Sequence, residues 1–341
     1  MKEALGKILK EGMGVASPIA KIIQLYGDAS YRTYSRMHLA DGRTFVVMQM
    51  PEGYASVSEE ITNFKGPLEE PTFVSVWRYL KGLGIQVPVL HHYSEKDRLI
   101  ILEDLGDDLM VRILEGATRD ERIRLYRRAI DILVQIQKGS QGNGPSDCVA
   151  FKRSFDSELL NWEFDHFAEY GISERLERHM NSHDQAVFEQ QTRTISAKIE
   201  EMNFGFTHRD FQSRNIIIRD GQLYLLDFQD ALLGPAAYDL VALLRDSYFE
   251  LPQTEVNELI RYYAGLMGRD HESLSHDFDL ITVQRKLKDA GRFVYIDRVK
   301  KNPGFLQYIP SSLGYVKTAL ERLDEYRPLY ETLGKYIPEW Q

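Results

Sequence analysis

The stretch FTHRDFQSRNIIIRDGQLYLLDFQD, residues 206–230, decides the fold of this chain. Its HRD motif ends at Asp210, and Asn215 follows five residues later. Two short apolar runs then flank Gly221 and lead to Asp227. A glycine turn between two such runs predicts a β-hairpin. This hairpin would fold Asp227 back beside Asn215.

Polar residues at these three positions suit the transfer of a phosphoryl group from a nucleotide to a hydroxyl. An attacking hydroxyl needs a nearby acceptor for its proton, and Asp210 supplies a carboxylate. Magnesium bridges the phosphates and prefers hard oxygen ligands, which Asn215 and Asp227 supply. The sequence therefore predicts Asp210 as the catalytic base, with Asn215 and Asp227 as magnesium ligands. The alternative interpretation is an accidental polar turn before a hairpin.

The order and spacing resemble the catalytic loop and metal-binding segment of protein kinases. With a two-lobe plan, they resemble the aminoglycoside phosphotransferase and choline kinase group, which shares the protein-kinase-like fold. The continuation DFQDALLGPAAYDLVALLRDSY, residues 227–248, is similar to bacterial anomeric sugar kinases of the N-acetylmuramate/N-acetylglucosamine kinase type. The resemblance implies ATP-dependent phosphorylation of the anomeric hydroxyl of an amino sugar, with Mg²⁺ as a second cofactor, in cell-wall recycling.

The resemblance also implies a nucleotide site. The turn at residues 27–32 would cover the ATP phosphates, with Ser30 and Arg32 as contacts. The linker EDLGD would receive the adenine through backbone atoms of Glu103 and Leu105. The choice between ATP and GTP stays open at this stage.

Two polar residues are interpreted as structural. Asp239 would brace the catalytic loop, as the resemblance implies. The residues themselves agree, because Pro235 suits the start of a helix and Asp239 would then lie among apolar residues, where it needs a partner. His208 is interpreted as bracing the loop rather than performing chemistry.

The order of strands and helices predicts two lobes. Residues around the Asp41-Gly42 turn read as a hairpin, and VPVLHHY and RLIILED as two further strands, so about four strands are expected. The run from Thr72 to Gly82 predicts a helix that ends at glycine. We therefore predict an α+β, protein-kinase-like fold, with a β-rich nucleotide-binding lobe at 1–105 and a mainly helical catalytic and acceptor-binding lobe at 106–341.

The second lobe carries helical periodicity. Thr118 and Glu121 fit a capping box at the start of one helix. Further helices are predicted at 153–170, 184–203, 237–249, 254–267, 272–290 and 311–335.

Candidate acceptor contacts lie in the helix at 153–170. Glu158, Asp165 and Glu169 are spaced seven and four apart and share one helical face. That face is either an acidic wall for a cationic or hydroxyl-rich substrate or, as charges of this kind usually are, a solvated surface, which we favour. Asp230 either faces the sugar or ends a strand. Trp162 is a candidate for stacking on a sugar, although core packing is the favoured interpretation.

The sequence departs from protein kinases at the phosphate-binding lysine and its glutamate partner. Met48 or Gln49 stands where the lysine is expected, and Phe73 stands near the expected glutamate. Either Arg32 or Lys65 would then supply the missing positive charge. This departure motivates one alternative, a nucleotide-binding pseudokinase. A kinase of another acceptor, such as an aminoglycoside or a choline-like amine, is the other.

Composition limits the partners and the compartment. The chain has 341 residues and a formal net charge of −9, which argues against nucleic-acid binding. Its single cysteine, Cys148, excludes an internal disulfide, and no apolar run approaches a membrane span or a signal peptide. We expect a cytoplasmic enzyme with a small-molecule acceptor, and infer no obligate protein partner and no membrane association.

Overall fold

The computed structural model describes residues 2–25, 32–50, 70–140 and 147–341. The first lobe is built on an antiparallel sheet of five strands in the order β1-β2-β3-β5-β4. Its strands are β1 (Ile19–Leu25), β2 (Thr33–Leu39), β3 (Thr44–Gln49), β4 (Leu90–Ser94) and β5 (Leu99–Glu103). The prediction of about four strands missed β1, an edge strand with four exposed residues whose sequence does not alternate cleanly.

The predicted hairpin between β2 and β3 is confirmed. Gly42 has a φ of +88°, a backbone conformation that favours glycine. Asp41 Oδ1 accepts a hydrogen bond of 3.1 Å from the Arg43 N–H. This turn sets the register, which pairs Met37 with Phe45 and Tyr34 with Met48.

The two faces of the sheet serve different cores. On one face, helix α1 (Lys2–Lys7) and a π-helical turn (Ile8–Gly12) cover a small apolar cluster. On the other, the side chains of Met48, Ile100 and Leu102 join the main core, together with helix α2 (Thr72–Gly82). Successive side chains of a strand point to opposite faces of the sheet, so one set covers the small cluster and the other packs into the main core shared with the second lobe.

The lobes meet through a short linker. Strand β5 ends at Glu103, and the first helix of the second lobe begins at Met110. The Ile218 N–H donates to Asp108 O at 2.9 Å, and the Leu225 N–H donates to Gln86 O at 2.9 Å. The hairpin that carries the candidate metal ligands is thus hydrogen-bonded both to the linker and to the first lobe.

Helices dominate the second lobe. They are α3 (Met110–Gly116), α4 (Arg119–Gly139), α5 (Ser157–His166), α6 (Ser182–Glu200), α7 (Tyr238–Leu244), α8 (Gln253–Met267), α9 (His271–Lys300), α10 (Ile309–Leu320) and α11 (Arg327–Gly334). The capping box at the start of α4 is confirmed. A π-helical segment, Phe167–Glu174, extends α5. Within the described residues, no helix has the length and apolar character needed to cross a membrane.

Two strand pairs interrupt these helices. The predicted hairpin is β7 (Ile216–Arg219) with β8 (Gln222–Leu225), and it is confirmed. A second pair, β6 (Phe204–Thr207) with β9 (Leu232–Pro235), was not predicted. Strand β9 is short and contains Gly234 and Pro235, so its sequence reads as a turn.

Three helix predictions were wrong in extent. The helix expected at 237–249 ends at Leu244. The helix expected at 272–290 continues to Lys300. The single helix expected at 311–335 is divided at 321–326, and Pro328 lies in the first turn of α11. Proline starts helices readily but disrupts their interior, so a break before Pro328 is the physical outcome.

Helix α9 packs very closely on the segment that follows α5. A Cβ added at Gly291 would lie 2.8 Å from the Phe167 Cα and 3.2 Å from the His166 O. Both are backbone atoms, which cannot rotate away. Glycine at this position therefore allows α9 to approach, and α9 carries residues of the active site.

We predict that Gly291→Ala lowers the free energy of unfolding by about 1–3 kcal/mol, since overpacking against backbone forces the helices apart. Urea denaturation measures this change. Gly314→Ala in α10 is the matched control, because its Cβ would meet nothing within 4 Å. That variant should equal or exceed wild-type stability, by up to about 1 kcal/mol from helix propensity. Equal effects of the two substitutions would contradict the packing argument.

Candidate active site

The catalytic loop after β6 is held by one buried carboxylate. Asp239 Oδ2 accepts a hydrogen bond of 2.6 Å from the His208 N–H, and Oδ1 accepts one of 3.0 Å from the Arg209 N–H. Burial raises the pKa of Asp239 to about 6, although the neighbouring His208 opposes the shift. These are the contacts that a brace for the loop requires.

His208 and Arg209 turn inward from this loop. The His208 side chain is buried, and burial lowers its pKa. Arg209 has a φ of +73°, a strained conformation for a non-glycine residue. Its guanidinium pairs at 3.3 Å with the buried Glu163 of α5. Because His208 and Arg209 are buried, Asp210 is the residue of the HRD motif that faces the cleft.

Asp210 keeps 39% of its side-chain surface exposed. The fully buried Arg285 of α9 donates to Arg209 O at 2.5 Å and to Asp210 Oδ1 at 3.4 Å. Asn215 Nδ2 donates to Asp210 O at 2.8 Å. Arg285 of α9 therefore orients the Asp210 carboxylate, and the backbone carbonyl of Asp210 is held by the candidate metal ligand Asn215.

A second buried carboxylate anchors the far end of the loop. Asp246 Oδ2 accepts hydrogen bonds from Ser213 N–H at 2.9 Å and Ser213 Oγ at 2.5 Å. Asp246 Oδ1 accepts from the Tyr248 N–H at 3.0 Å. The loop from 208 to 213 is thus tied at both ends to the segment containing α7.

The hairpin brings Asp227 back toward Asn215. Ile216 pairs with Leu225, and the Leu226 N–H donates to Asn215 O at 2.9 Å. Burial, reinforced by the negative charge of Asp210, raises the pKa of Asp227 to about 6. Asp227 also has a φ of +59°. A strained, buried carboxylate beside a second carboxylate is typical of a functional site.

Asp230 lies beside these groups but in a different electrostatic environment. Burial opposes its ionisation, yet Arg32 and Arg153 outweigh it and lower its pKa to about 2. Arg32 Nη1 lies 3.4 Å from Asp230 Oδ2. Gln229 Nε2 donates to both carboxylates, at 2.8 Å to Asp227 Oδ1 and 3.0 Å to Asp230 Oδ2.

These residues fit a cation that also binds phosphate oxygens. Asn215 Nδ2 is committed to Asp210 O, which leaves the amide oxygen as its ligand atom. The raised pKa of Asp227 marks a carboxylate that a bound cation would stabilise in its charged form. Among the described residues no cluster of three or more His, Cys, Asp or Glu side chains could hold a metal alone. A magnesium ion here would take its remaining ligands from phosphates and water.

The residues expected at the nucleotide are divided between described and undescribed parts of the chain. Ser30 and the turn at 27–31 lie outside the described residues, as does Lys65. Glu103 Oε1 pairs at 2.9 Å with Arg219 of β7, and Glu103 Oε2 accepts from the Val89 N–H. Leu105 is buried in the linker. The Glu103 side chain thus joins the two lobes beside the expected adenine site.

The positions of the missing lysine and glutamate are apolar. Met48 and Phe73 are both buried in the main core. The Phe73 ring lies 4.8 Å from the ring of Phe228, the residue after Asp227. An aromatic contact therefore connects α2 with the Asp227 segment. The guanidinium of Arg32 places a positive charge beside Asp230.

The acidic face expected on α5 is exposed to solvent. Glu158 and Asp165 are exposed, and burial with the nearby Glu189 of α6 raises the pKa of Asp165. The carboxylate that α5 directs inward is Glu163, which lies more than about 130° around the helix from both at about 100° per residue. The arrangement agrees with the interpretation of this face as solvated.

Sequence reasoning missed the polar groups that α9 contributes. Arg285, Lys286 and Asp289 are buried there, and Gln284 donates a hydrogen bond to Glu163. The segment QRKLKDAGR carried a usable signal. Its charged residues point in several directions around the helix, so they cannot all reach solvent if α9 is central.

Two lobes joined by a linker, with a braced carboxylate loop and a hairpin that carries the candidate metal ligands, define a phosphotransferase of the protein-kinase-like fold. The predicted α+β class is therefore confirmed.

The chain belongs to the phosphotransferase enzyme family, whose profile matches residues 21–275. The N-acetylmuramate/N-acetylglucosamine kinase of Pseudomonas aeruginosa is 29% identical over 332 residues, covering 95% of this chain and 90% of that protein. The kinase of the same name from Neisseria meningitidis serogroup B is 30% identical over 325 residues, covering 91% and 89%. The resemblance predicted from residues 206–248 is confirmed.

Solved structures agree on the fold. The gentamicin complex of APH(2")-IIa superposes with a TM-score of 0.62 at 16% identity, covering 91% of this chain and 94% of that one. The choline kinase LicA from Streptococcus pneumoniae gives a TM-score of 0.61 at 15% identity, covering 95% and 100%. At these identities the likeness shows the fold alone.

The raised pKa of Asp227 predicts a stabilising substitution. Above pH 6 the folded protein holds an ionised carboxylate that burial and Asp210 disfavour. Without metal or nucleotide, Asp227→Asn should therefore raise the free energy of unfolding at pH 8 by on the order of 2 kcal/mol. The gain should shrink as the pH falls through 6, because wild-type Asp227 then binds a proton in the folded state. Urea denaturation between pH 4 and 8 measures both.

Asp230→Asn is the matched control with the opposite sign. The lowered pKa of Asp230 stabilises the folded state above the pKa of the unfolded chain, and this stabilisation is lost as the pH falls toward 2. This variant should be destabilised at pH 8. Stabilisation of both variants at pH 8 would contradict the electrostatic assignment.

Proposed function

We propose that this protein is an ATP-dependent kinase that phosphorylates the anomeric hydroxyl of an amino sugar. The observation that carries the proposal is the convergence of Asp210, Asn215 and Asp227 on one cleft between the lobes. The names of the relatives support the acceptor class. In this proposal residues 1–105 form the nucleotide-binding lobe and residues 106–341 the catalytic and acceptor-binding lobe. We also infer a cytoplasmic location, where ATP is available.

Asp210 would act as the base. Arg285, together with the hydrogen bonds that the Asp239 carboxylate accepts from the backbone of the loop, fixes its position, and its exposed surface faces the cleft. The anomeric hydroxyl would give its proton to Asp210 as its oxygen bonds to the γ-phosphorus. The bond to the β–γ bridging oxygen breaks, and ADP and the sugar 1-phosphate result. Positioning of this kind is the main contribution of a protein to phosphoryl transfer.

Asn215 and Asp227 would hold magnesium, which supplies positive charge to the phosphate oxygens as the phosphoryl group moves. The chain's own contribution is to hold the two ligands at the open end of one hairpin, with Asn215 just before β7 and Asp227 two residues after β8. Asp239 and His208 would act structurally. Ser30, Arg32, Glu103 and Leu105 remain the proposed nucleotide contacts, and Asp230 a proposed acceptor contact.

The base assignment predicts that Asp210→Asn lowers kcat at least about 100-fold, because general-base catalysis contributes that much or more. Binding of ATP with magnesium should change by less than about threefold, since the metal ligands remain. Release of ADP with N-acetylglucosamine as acceptor measures the first effect, and nucleotide titration the second.

Glu158→Gln on the exposed face of α5 is the control for Asp210→Asn, and it should retain wild-type turnover. Near-normal turnover by Asp210→Asn would overturn the assigned base. Nucleotide binding by the wild type without ADP release for any sugar would favour a pseudokinase.

The absent lysine predicts a role for Arg32. Its guanidinium lies beside Asp230, and the charges of Asp230 and Asp227 act on it. We expect Arg32→Met to raise the KM for ATP roughly tenfold, in keeping with the loss of one charge-assisted hydrogen bond. The KM for the sugar should change much less. Arg43→Met, in the exposed β2–β3 turn, is the control and should leave both KM values unchanged. If Arg32→Met changed the KM for ATP and the KM for the sugar equally, the assignment would be refuted.

A further inference from the structure

Arg209 holds a backbone conformation that its residue type does not favour. Its φ of +73° lies in the left-handed region, which glycine adopts freely and other residues adopt only under strain. Its N–H donates to Asp239 Oδ1 at 3.0 Å, and its carbonyl oxygen accepts from Arg285 at 2.5 Å. Asp210 follows directly, so the conformation of Arg209 sets the direction in which the proposed base leaves the loop.

The Arg209 side chain is held by Glu163 of α5. Glu163 is fully buried, and its Oε1 pairs with the Arg209 guanidinium at 3.3 Å. The same guanidinium lies over the Phe155 ring, 5.4 Å from its centre. Gln284 of α9 donates a hydrogen bond to Oε2 of Glu163. Glu163 therefore ties the catalytic loop to both α5 and α9.

Burial limits what Glu163 can do in the reaction. With 0% of its surface exposed, its side chain cannot touch the acceptor or the nucleotide. Any influence on the reaction passes through the group that it holds, the Arg209 guanidinium. A buried guanidinium that loses its partner carboxylate is strongly unfavourable, so loss of the pair would draw Arg209 out of its inward position. The loop would follow, because a non-glycine residue stays in the left-handed region only when its surroundings hold it there.

We propose that Glu163 is a positioning residue for the catalytic base, and that its ion pair with Arg209 does at this position what glycine would do by conformational freedom alone. The pair holds the left-handed turn that directs Asp210 to the cleft. This role rests on the proposed function, in which Asp210 is the base. It makes the effect of a substitution at Glu163 depend on which residue occupies position 209, and that dependence is measurable.

The first variant to compare with the wild type is Glu163→Gln, which keeps the shape of the side chain and removes its charge. We expect kcat to fall roughly ten- to hundredfold, the cost of a small misplacement of a catalytic group. The KM for ATP should stay near its wild-type value, because the hairpin beside Asn215 and Asp227 is unaltered. A variant that merely lost folded protein would not show this division between kcat and KM.

Two double variants then separate positioning from charge balance. When Arg209→Gly is added to Glu163→Gln, glycine adopts the left-handed conformation unaided, so kcat should return close to the wild-type value. When Arg209→Met is added instead, the same charges are absent but the residue at 209 keeps its Cβ, so kcat should stay low. A role limited to neutralising a buried arginine would restore both double variants alike. This comparison does not depend on the folding of Glu163→Gln.

Glu255→Gln is the matched control. Glu255 of α8 is also buried and also pairs with an arginine, Arg122, at 2.8 Å, but Arg122 belongs to α4 rather than to the catalytic loop. Glu255→Gln should therefore keep the wild-type kcat per folded molecule.

Hydrogen exchange of the His208 N–H gives a second measurement that needs no acceptor. This group donates to Asp239 Oδ2 at 2.6 Å, and it would exchange faster if the loop opened. Exchange should be faster in Glu163→Gln, slow again when Arg209→Gly is added, and fast when Arg209→Met is added.

Unchanged kcat or unchanged exchange in folded Glu163→Gln would overturn the positioning role, as would equal recovery by the two double variants. A wild type that releases ADP with N-acetylglucosamine would leave the proposed function standing under any of these results. If the wild type released no ADP with any amino sugar, the proposed function would be overturned. The exchange rates would still decide whether Glu163 holds the loop.

Discussion

The two hydrogen bonds from the His208 and Arg209 N–H groups to Asp239 are the interaction on which the site depends. Burial of the Asp239 carboxylate disfavours its charged form, and its pKa stays raised because the hydrogen bonds and His208 offset only part of that effect. In return, the loop holds Arg209 in a left-handed conformation that it would not adopt alone. That conformation turns Arg209 inward to Glu163 and leaves Asp210 facing the cleft.

Helix α9 also holds the catalytic loop in position. Arg285 contacts both the backbone of the catalytic loop and the Asp210 carboxylate, although it lies 75 residues farther along the chain. The close approach at Gly291 holds this helix against the segment after α5. Packing between helices is thus coupled to the orientation of the proposed base.

The first lobe connects to the same centre by apolar contact rather than by an ion pair. Met48 and Phe73, near the positions where the sequence led us to expect the lysine and glutamate of protein kinases, are buried, and Phe73 packs on Phe228. Arg32 places a positive charge beside Asp230. Two carboxylates three residues apart consequently differ in pKa, since Asp227 lies beside Asp210 and Asp230 lies beside Arg32 and Arg153.

The sequence by itself determined the hairpin after Asp210, the β-rich and helical lobes, and the family, because local spacing encodes turns, strands and the catalytic motif. It did not determine strand β1, strand β9 or the break before Pro328, where pairing partners and packing override weak local patterns. Only the tertiary structure placed Glu163, Asp246 and α9 around the loop. The physical reason is that a buried charge is tolerated only beside its partners, and those partners lie far away in sequence.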